Sequence, residues 1–458
     1  MSTFTPDHLA SILRRLLPIG VTRVAVAFSG GLDSTVLLTA LARVRAANGL
    51  DLRALHVNHG LQAAASSWAE HCRRVAAALH VPFEQLVVKV RALELGVEAA
   101  ARRARYDALA QALSDNEALL TAHHADDQLE TMLLALARGA GVIGLSAMPA
   151  VQPFACGLLV RPLLDFTRSD LERWARAEGL GWVEDPMNEL ITLDRSFLRR
   201  EIVARLRARF PSIARTAARS ARHLQEASEL LDDLAQLDLD TVRVEAALDV
   251  ERLRSLSAAR RRNVLRRWLR DFGVRAPSSA RLAGIDHDML AAKHDRMPCT
   301  EVDGVQVRRH RRLLYCVPRL PPVPSEPIEW RTNAELPLPG GLGALELVPE
   351  MGVGLSAVRL PRQLHVMFRR GGEMLKAAGE KHRRSLKKRL QEANVLPWWR
   401  GRLPLIYANG RLVAVGDLWI DADFAARANE PSLRLVWKDK PAIYAFGSAG
   451  SEDGPVDE

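Results

Sequence analysis

The sequence has few cysteines and no long apolar run, and each shortage excludes a class of protein. The four cysteines, Cys72, Cys156, Cys299 and Cys316, lie far apart and form no Cys-x-x-Cys pair. This spacing suggests neither a disulfide framework nor a structural zinc site of that type. No apolar segment approaches the roughly 20 residues of a membrane-spanning helix. Because the N-terminus also lacks the features of a secretory signal, we expect a cytoplasmic protein with no membrane partner.

Acidic residues are scarce relative to basic ones. The 458 residues include 64 Lys and Arg against 54 Asp and Glu, which gives a formal net charge of +10. Such an excess suits a polyanionic partner such as nucleic acid, since phosphate contacts are made by Lys and Arg. Aromatic residues are few, at 5%, but the apolar share of 48% supports ordinary globular cores. At roughly 100 to 200 residues per domain, the length predicts two to four domains.

An apolar run turns into a helical pattern at residues 29–34, which read Ser-Gly-Gly-Leu-Asp-Ser. The glycines allow a tight turn, and the first N–H groups of the following helix point at whatever occupies it, which suits a phosphate. A carboxylate at Asp33 is repelled by phosphate unless a cation lies between them. The stretch therefore predicts a magnesium-bridged nucleotide. The alternative is that Asp33 and Ser34 only cap the helix.

Strand-like and helical segments alternate from residue 21 to about residue 180. Strands are predicted at 24–28, 52–57, 83–88, 118–122 and 158–164, and helices at 34–45, 68–80, 97–113, 125–138 and 169–178. This alternation predicts an α/β fold with a doubly wound, mostly parallel sheet. Ligands of such sheets bind beyond the carboxyl ends of the strands, where the polar clusters of this sequence fall.

The second informative stretch, residues 121–131, runs from a strand end into a helix and reads Thr-Ala-His-His-Ala-Asp-Asp-Gln-Leu-Glu-Thr. Asp126, Asp127 and Glu130 lie within one helical turn, so their carboxylates repel one another unless cations compensate. Each acid alone is also explained by the helix N-terminus, which favours a negative charge by about 0.3 to 1 kcal/mol. His123 and His124 directly before two aspartates are harder to explain as capping. We expect the cluster to serve magnesium, a cationic substrate, or both.

Two arginine-rich stretches are open to two interpretations. Arg102, Arg103 and Arg105 beside Tyr106 either hold phosphates or solvate the outer face of a helix. The basic run from 195 to 222 is mostly a solvated helix face by the same reasoning.

The order of these and other stretches resembles the tRNA(Ile)-lysidine synthetase family in its long form. The loop at 29–34 resembles the pyrophosphate loop of the wider superfamily, the N-type ATP pyrophosphatases. The matching stretches are 55–61, 101–106, 121–131, 138–145, 161–164, 184–188, 195–199, 369–373, 385–388, 397–400, 402–406 and 413–416. The resemblance covers nearly the whole chain and is weakest from about 225 to 350. Ser196 stands where the family usually has Asn, and Met187 where it usually has Ser.

The resemblance implies a ligase that forms a carbon–nitrogen bond. The family joins free L-lysine to the wobble cytidine of an isoleucine tRNA with a CAU anticodon. ATP first adenylates the base and releases pyrophosphate, so ATP is a substrate and Mg²⁺ is an expected cofactor. L-lysine and this tRNA are the implied partners, and the sequence leaves monomer and homodimer open.

The resemblance and the chemistry together give a set of candidate site residues. The ATP-binding candidates are Ser29, Gly30, Gly31, Leu32, Asp33, Ser34 and His59. The catalytic candidates are Asp33 and Asp126, which are expected to hold Mg²⁺, and Asp127 and Glu130, which are expected to hold the lysine ammonium. Arg199, or Arg195, is expected to hold the lysine carboxylate or a phosphate. The tRNA-binding candidates are Arg369, Arg370, Lys387 and Lys388.

Four regions are expected along the chain. They are a catalytic domain at 1–215, a helical substrate-binding or linker domain at 216–327, a small α+β tRNA-binding domain at 328–445, and a disordered tail at 446–458. Two other functions would fit parts of the sequence. A tRNA-thiolating enzyme of the same superfamily needs a close pair of cysteines, which this sequence lacks. A catalytically silent RNA-binding protein has no need of the four acids.

Overall fold

The computed structural model describes residues 3–58, 65–88, 97–184, 194–274, 277–292, 296–378 and 380–441. The chain forms two compact units, Met1–Leu231 and Asp232–Glu458. The candidate His59 and the tail at 446–458 lie outside the described residues. No described helix has both the length and the apolar character needed to cross a bilayer.

The first unit is built on a six-stranded sheet. Its strands are β1 Arg23–Ala27, β2 Asp51–Asn58, β3 Phe83–Val87, β4 Glu117–Leu120, β5 Val151–Phe154 and β6 Gly157–Val160. Its helices are α1 Pro6–Leu16, α2 Leu32–Val44, α3 Ala65–Ala78, α4 Val97–Ala112, α5 Ala125–Ala137, α6 Val142–Leu145, α7 Arg168–Ala177, α8 Asp194–Phe197, α9 Ala204–Arg209 and α10 Ile213–Val242. A 3₁₀ turn, Ala46–Asn48, and a π-helical turn, Leu198–Val203, complete it, and α10 continues into the second unit.

The strand order β3-β2-β1-β4-β6-β5 confirms the predicted doubly wound sheet. All neighbours pair in parallel except β5, which forms an antiparallel hairpin with β6. The sequence pattern did not predict β5, because it is a short edge strand that is only partly buried. At the centre, Val26 of β1 pairs with Ala54 of β2 and with Leu120 of β4. The carboxyl ends of β1 and β4 therefore lie side by side, and both informative stretches begin there.

The continuous apolar character of β1 follows from its position. Val24, Ala25 and Val26 are fully buried, because β1 has a strand on each side and helices over both faces of the sheet. Helix α2 packs Val36, Leu37 and other apolar residues into the same core. The start of α2, and with it the loop at 29–34, is thereby fixed against the centre of the sheet.

The second unit contains antiparallel sheets and four further elements of helix. Its strands are β7 Arg243–Val244, β8 Ala247–Asp249, β9 Cys299–Val302, β10 Val305–His310, β11 Leu313–Pro318, β12 Ile328–Arg331, β13 Leu336–Pro337, β14 Ala344–Met351, β15 Leu355–Ser356, β16 Gln363–Phe368, β17 Met374–Leu375, β18 Arg384–Ser385, β19 Pro404–Ala408, β20 Arg411–Val415, β21 Trp419–Ile420 and β22 Pro431–Lys438. Its helices are the end of α10, then α11 Val250–Ser255, α12 Ala258–Asp271, α13 Ser279–Ala291 and α14 Leu386–Glu392.

The region predicted as helical also carries a five-stranded sheet, in the order β7-β8-β11-β10-β9. Two residues with positive φ, Asp303 and Gly304, turn β9 into β10, as a tight hairpin requires. The strands of the C-terminal part form sheets β12-β16-β19-β20-β21 and β13-β14-β22-β15 and the pair β17-β18. With α14 these sheets confirm the expected α+β arrangement.

Candidate functional site

The loop between β1 and α2 is held in a defined conformation by its own side chains. The Oγ atoms of Ser29 and Ser34 lie 3.0 Å apart, and Ser34 donates to the carbonyl of Gly31 at 3.1 Å. Val183 donates its N–H to the carbonyl of Gly30 at 2.9 Å. The first N–H groups of a helix have no acceptor within the helix, so the start of α2 presents donors to the space above the loop. Leu32 is buried in the core, so only its backbone is available to a nucleotide.

Gly30 is required by two features of the loop. Its φ of +80° lies in the left-handed region, where a side chain is strained. A Cβ at this position would also lie 2.7 Å from the sulfur of Cys72 on α3, well inside van der Waals contact. Cys72 is fully buried, and that burial raises the pKa of its thiol to about 12. The cysteine therefore acts as a packing residue beneath the loop.

The acidic stretch meets the loop through one histidine. His124 Nε2 lies 3.6 Å from Asp33 Oδ2 of the loop and 3.5 Å from Asp127 Oδ2. Its Nδ1 lies 3.5 Å from Asp126 Oδ2. His124 is also the N-cap residue of α5, and its backbone N–H donates to Asp127 Oδ2 at 3.0 Å. The structure thus brings the loop and the first turn of α5 together at one edge of the sheet.

The charge of His124 follows from these neighbours. Burial alone would lower its pKa, but Asp127, Asp33 and Asp126 outweigh burial and raise the pKa to about 9. The same imidazolium helps to hold the pKa of Asp127 well below its usual range, against the opposing effect of burial. A protonated histidine therefore neutralises part of the charge where three carboxylates converge.

Arginines of α8 and of the π-helical turn compensate more of the negative charge of these acids. Arg195 donates to Glu130 Oε2 at 2.9 Å and to Asp127 Oδ1 at 3.1 Å. Arg199 donates to both oxygens of Glu130, at 2.6 and 3.0 Å. Among the described residues, each of the four candidate acids is in contact with a cation of the protein itself. The basic run from 195 to 222 is therefore only partly a solvated face.

The two candidate magnesium ligands differ in how well they are placed for a cation. Asp33 Oδ1 is buried and accepts no hydrogen bond from the described residues. Asp126, by contrast, is engaged at both oxygens, by the side chain of Arg207 and by the N–H of Arg168 at 2.6 Å. The described part of the chain contains no group of three protein ligands for a metal. The free oxygen of Asp33 therefore fits Mg²⁺ as it commonly binds with nucleotides, through one or two carboxylates with phosphate and water as the other ligands, whereas Asp126 would first have to release Arg207 or Arg168.

A second group of arginines lies near His123, which precedes the acidic cluster. The guanidinium groups of Arg102 and Arg105 lie 5.2 and 5.6 Å from the Tyr106 ring. Burial lowers the pKa of Arg105, and the nearby charges of Arg102 and Arg195 lower it further. Burial also lowers the pKa of His123 to about 3, so this ring is neutral at pH 7. Positive charges held this close together are suited to binding an anion, which favours the phosphate interpretation for Arg105. Arg103, in contrast, is exposed.

Glu373 in the second unit contacts two of the candidate tRNA-binding residues, Arg369 and Arg370, and the start of the helix that carries the other two, Lys387 and Lys388. Glu373 accepts hydrogen bonds from the N–H of Arg370 at 2.6 Å and from the side chain of Arg369 at 3.3 Å. Its own carbonyl accepts from the N–H of Leu386, the first residue of α14. Lys387 and Lys388 follow on the exposed side of that helix. Arg370, Lys387 and Lys388 are exposed, whereas Arg369 is half-buried and paired with Glu373.

Sequence reasoning missed three side chains that shape the site. It gave no separate role to His124, and it did not identify Arg207 or Cys72. Arg207 lies among many arginines of α9 and α10, and only its contact with Asp126 distinguishes it. Nothing near Cys72 in the sequence indicates that it lies beneath Gly30. Both contacts join residues far apart in the chain, so local patterns carry no signal for them.

A glycine-rich loop at the end of β1, with acids at the adjacent strand end, defines a PP-loop nucleotide-binding enzyme. The family model described as the PP-loop domain matches residues 6–206. Two further models match in the second unit, the TilS substrate binding domain at residues 248–315 and the TilS substrate C-terminal domain at residues 364–437.

Comparison with known proteins identifies the family. The chain is 41% identical over 430 residues to the tRNA(Ile)-lysidine synthase of Coxiella burnetii, covering 93% of this chain and 95% of that protein. It is 42% identical over 439 residues to the enzyme of that name from Alkalilimnicola ehrlichii, with coverage of 95% and 97%. Among solved structures, the U34-tRNA thiolase NcsA from Methanococcus maripaludis matches 48% of this chain and 79% of that chain, at 18% identity and a TM-score of 0.40. The chain belongs to the tRNA(Ile)-lysidine synthase family.

Proposed function

We propose that this protein joins free L-lysine to the wobble cytidine of the isoleucine tRNA with a CAU anticodon. The reaction consumes ATP, releases AMP and pyrophosphate, and forms a carbon–nitrogen bond, and we place it in the cytoplasm. The observation that carries the proposal is the shared sheet edge. There His124 lies within 3.6 Å of both Asp33 of the phosphate loop and Asp127 of the acidic stretch. A nucleotide on the loop and an amino acid beside the acids would lie next to each other.

The first step activates the base. The ring carbonyl oxygen of cytidine is a poor leaving group and must be activated before it can leave. It attacks the α-phosphorus of ATP, and the bond from that phosphorus to the β-phosphate oxygen breaks. The N–H groups at the start of α2 are proposed to hold the departing pyrophosphate. Asp33, together with Asp126, is proposed to hold Mg²⁺, which when bound supplies positive charge to the phosphates.

The second step transfers the amine. The ε-nitrogen of lysine attacks the ring carbon, the carbon–oxygen bond breaks, AMP leaves with that oxygen, and the nitrogen loses a proton. Because the lysine ammonium has a pKa of about 10.4, it arrives charged and must be deprotonated before it attacks. Asp127 and Glu130 are proposed to seat this ammonium beside the adenylated base. Arg199 is proposed to bind the lysine carboxylate with its two-pronged guanidinium.

The rest of the chain is proposed to select the tRNA. The regions 216–327 and 328–445 would contact the RNA away from the wobble base, since many tRNAs share a similar anticodon loop. Arg369, Arg370, Lys387 and Lys388 form the proposed phosphate contacts around Glu373. Contacts of this kind fix the position of the RNA without reading its sequence.

Pyrophosphate release from ATP tests the proposal. We expect release that depends on L-lysine and occurs with the CAU-anticodon tRNA but not with the methionine tRNA that shares the anticodon. Asp33→Ala should abolish release and leave tRNA binding nearly unchanged, because the proposed tRNA contacts lie mainly elsewhere. Release without lysine, or with a sulfur donor in its place, would favour a thiolating enzyme. Binding of tRNA without any release would favour a silent RNA-binding protein.

A further inference from the structure

A cavity of about 500 Å³ lies within the second unit. Tyr315, Val317 and Leu320, from β11 and the chain that follows it, form part of its wall. Leu396 and Trp399, from the chain between α14 and β19, form another part. The lining is mainly apolar, and an apolar concavity that reaches the surface commonly marks a binding site.

The charge of the cavity wall does not favour an anion such as phosphate. Arg319 is the one charged residue among the described residues that line the cavity. Its side chain is 72% exposed and lies 3.7 Å from Glu301, so its charge is already partly compensated. The cavity therefore suits an apolar occupant better than the RNA backbone.

The last described residue of the chain lies at the cavity. Strand β22 ends at Lys438, Lys440 pairs with Asp417 at 2.8 Å, and Pro441 lines the cavity. The next five residues, 442–446, read Ala-Ile-Tyr-Ala-Phe and carry no charge. They lie beyond the match to the family model of the C-terminal domain, which ends at residue 437. Because five residues span at most about 18 Å, the whole stretch is within reach of the cavity.

The size of the cavity suits the side chains of this stretch. An apolar cavity of about 150 Å³ is enough to hold a benzene ring, so this one has room for the rings of Tyr444 and Phe446. In an extended chain, side chains two residues apart point to the same side. Because the stretch is tethered at Pro441, its effective concentration at the cavity is of the order of millimolar, which favours it over a free ligand.

We propose that residues 442–446 dock into this cavity as an intramolecular anchor, with the rings of Tyr444 and Phe446 against Trp399 and Leu320. This inference goes beyond the proposed function, because it involves neither the nucleotide nor lysine. The anchor joins β11 to the chain around Trp399. These parts of the wall belong to the two regions, 216–327 and 328–445, that are proposed to contact the tRNA.

Cleavage of the full chain by chymotrypsin tests the docking, because the protease has to bind the ring of Tyr444 or Phe446 itself. Docked rings are accessible only in the fraction of molecules whose anchor is open, so cleavage there should be slow. Ala246→Trp adds an indole to the cavity wall from an exposed turn, and it should speed cleavage after these two residues by at least about tenfold. Mass spectrometry of the intact chain measures the loss of the terminal residues.

The matched control is Ala334→Trp. Ala334 is also exposed, and its carbonyl accepts the indole N–H of Trp330, as the carbonyl of Ala246 accepts that of Trp268. Ala334 does not line the cavity, so this variant should be cleaved at the rate of the unaltered chain. If Ala246→Trp does not fold, Leu320→Asp places a charge in the wall and should speed cleavage in the same way.

Equal cleavage rates in the cavity variant and the unaltered chain would overturn the inference, because the stretch would then not occupy the cavity. Equal acceleration in Ala334→Trp would also overturn it, since the effect would not depend on the cavity. Cleavage of the unaltered chain that speeds up when the protein is diluted would show that the stretch of a second copy fills the cavity. That result would overturn the intramolecular anchor.

Discussion

At the scale of single residues, the site depends on charges that compensate one another across the sheet edge. His124 contacts both the loop at 29–34 and the acidic stretch, since it lies within 3.6 Å of Asp33, Asp126 and Asp127. The sequence predicted that these acids need cations. It could not show that a histidine and three arginines of the same chain supply them, because contacts such as Arg199 with Glu130 span 69 residues.

Gly30 provides a test of the loop at the same scale. Gly30→Ala should abolish pyrophosphate release, because the new Cβ would lie 2.7 Å from the sulfur of Cys72 and the loop would have to shift. Gly49→Ala is the matched control, since Gly49 also has a positive φ, of 61°, but has open space around it. Both changes should lower the free energy of unfolding by about 1 to 2 kcal/mol through backbone strain. Full activity in Gly30→Ala would show that the loop conformation does not matter.

At the scale of helices and strands, the sequence predicted the first unit closely. The strand at 24–28 is β1 at Arg23–Ala27, and the helix at 125–138 is α5 at Ala125–Ala137. These elements were predictable because each buried strand or amphipathic helix carries its own local pattern. The sequence indicates strand character at 302–316, where the structure has β10 and β11, but it did not predict the five-stranded sheet within 216–327, whose pairing depends on distant partners such as β8 with β11.

A buried arginine binds carbonyl groups at the end of one helix of that region, α13. Arg309 of β10 is 2% exposed and donates to the carbonyls of Met289 and Ala292 at the end of α13. Arg309→Met should lower the free energy of unfolding by about 3 kcal/mol, since buried carbonyls lose charged donors worth about 1.5 to 3 kcal/mol each. Urea titrations followed by tryptophan fluorescence would measure the loss.

The control for this prediction is Arg312→Met. The side chain of Arg312 is 68% exposed and lies 3.5 Å from Asp249, which is a long distance for an ion pair. The Arg312→Met change should therefore lower the free energy of unfolding by less than about 1 kcal/mol. Equal losses in the two variants would show that Arg309 does not stabilise the end of α13.

At the scale of the whole molecule, the net charge of +10 is the property that favours binding to RNA. Lys387→Gln with Lys388→Gln should weaken tRNA binding and reduce the slope of log affinity against log salt by about 1.5, since each lost phosphate contact removes somewhat less than one released counterion. Filter binding over a range of salt concentrations would measure the slope.

The matched control for the salt slope is Lys438→Gln with Lys440→Gln. It removes the same charge from lysines that already pair with Glu335, Glu346 and Asp417. This control should leave the slope nearly unchanged. If the two double variants behave alike, the region around α14 does not contact the RNA.

The central claim is that the shared sheet edge couples a nucleotide to a lysine amine and a tRNA base. The most direct test is mass spectrometry of the wobble nucleoside after the CAU-anticodon tRNA is incubated with the protein, ATP and lysine labelled with heavy nitrogen at the ε position. The account predicts a cytidine derivative that has gained a lysine and retains the heavy nitrogen bound to its ring. Unmodified cytidine, or a modified base without the label, would contradict it.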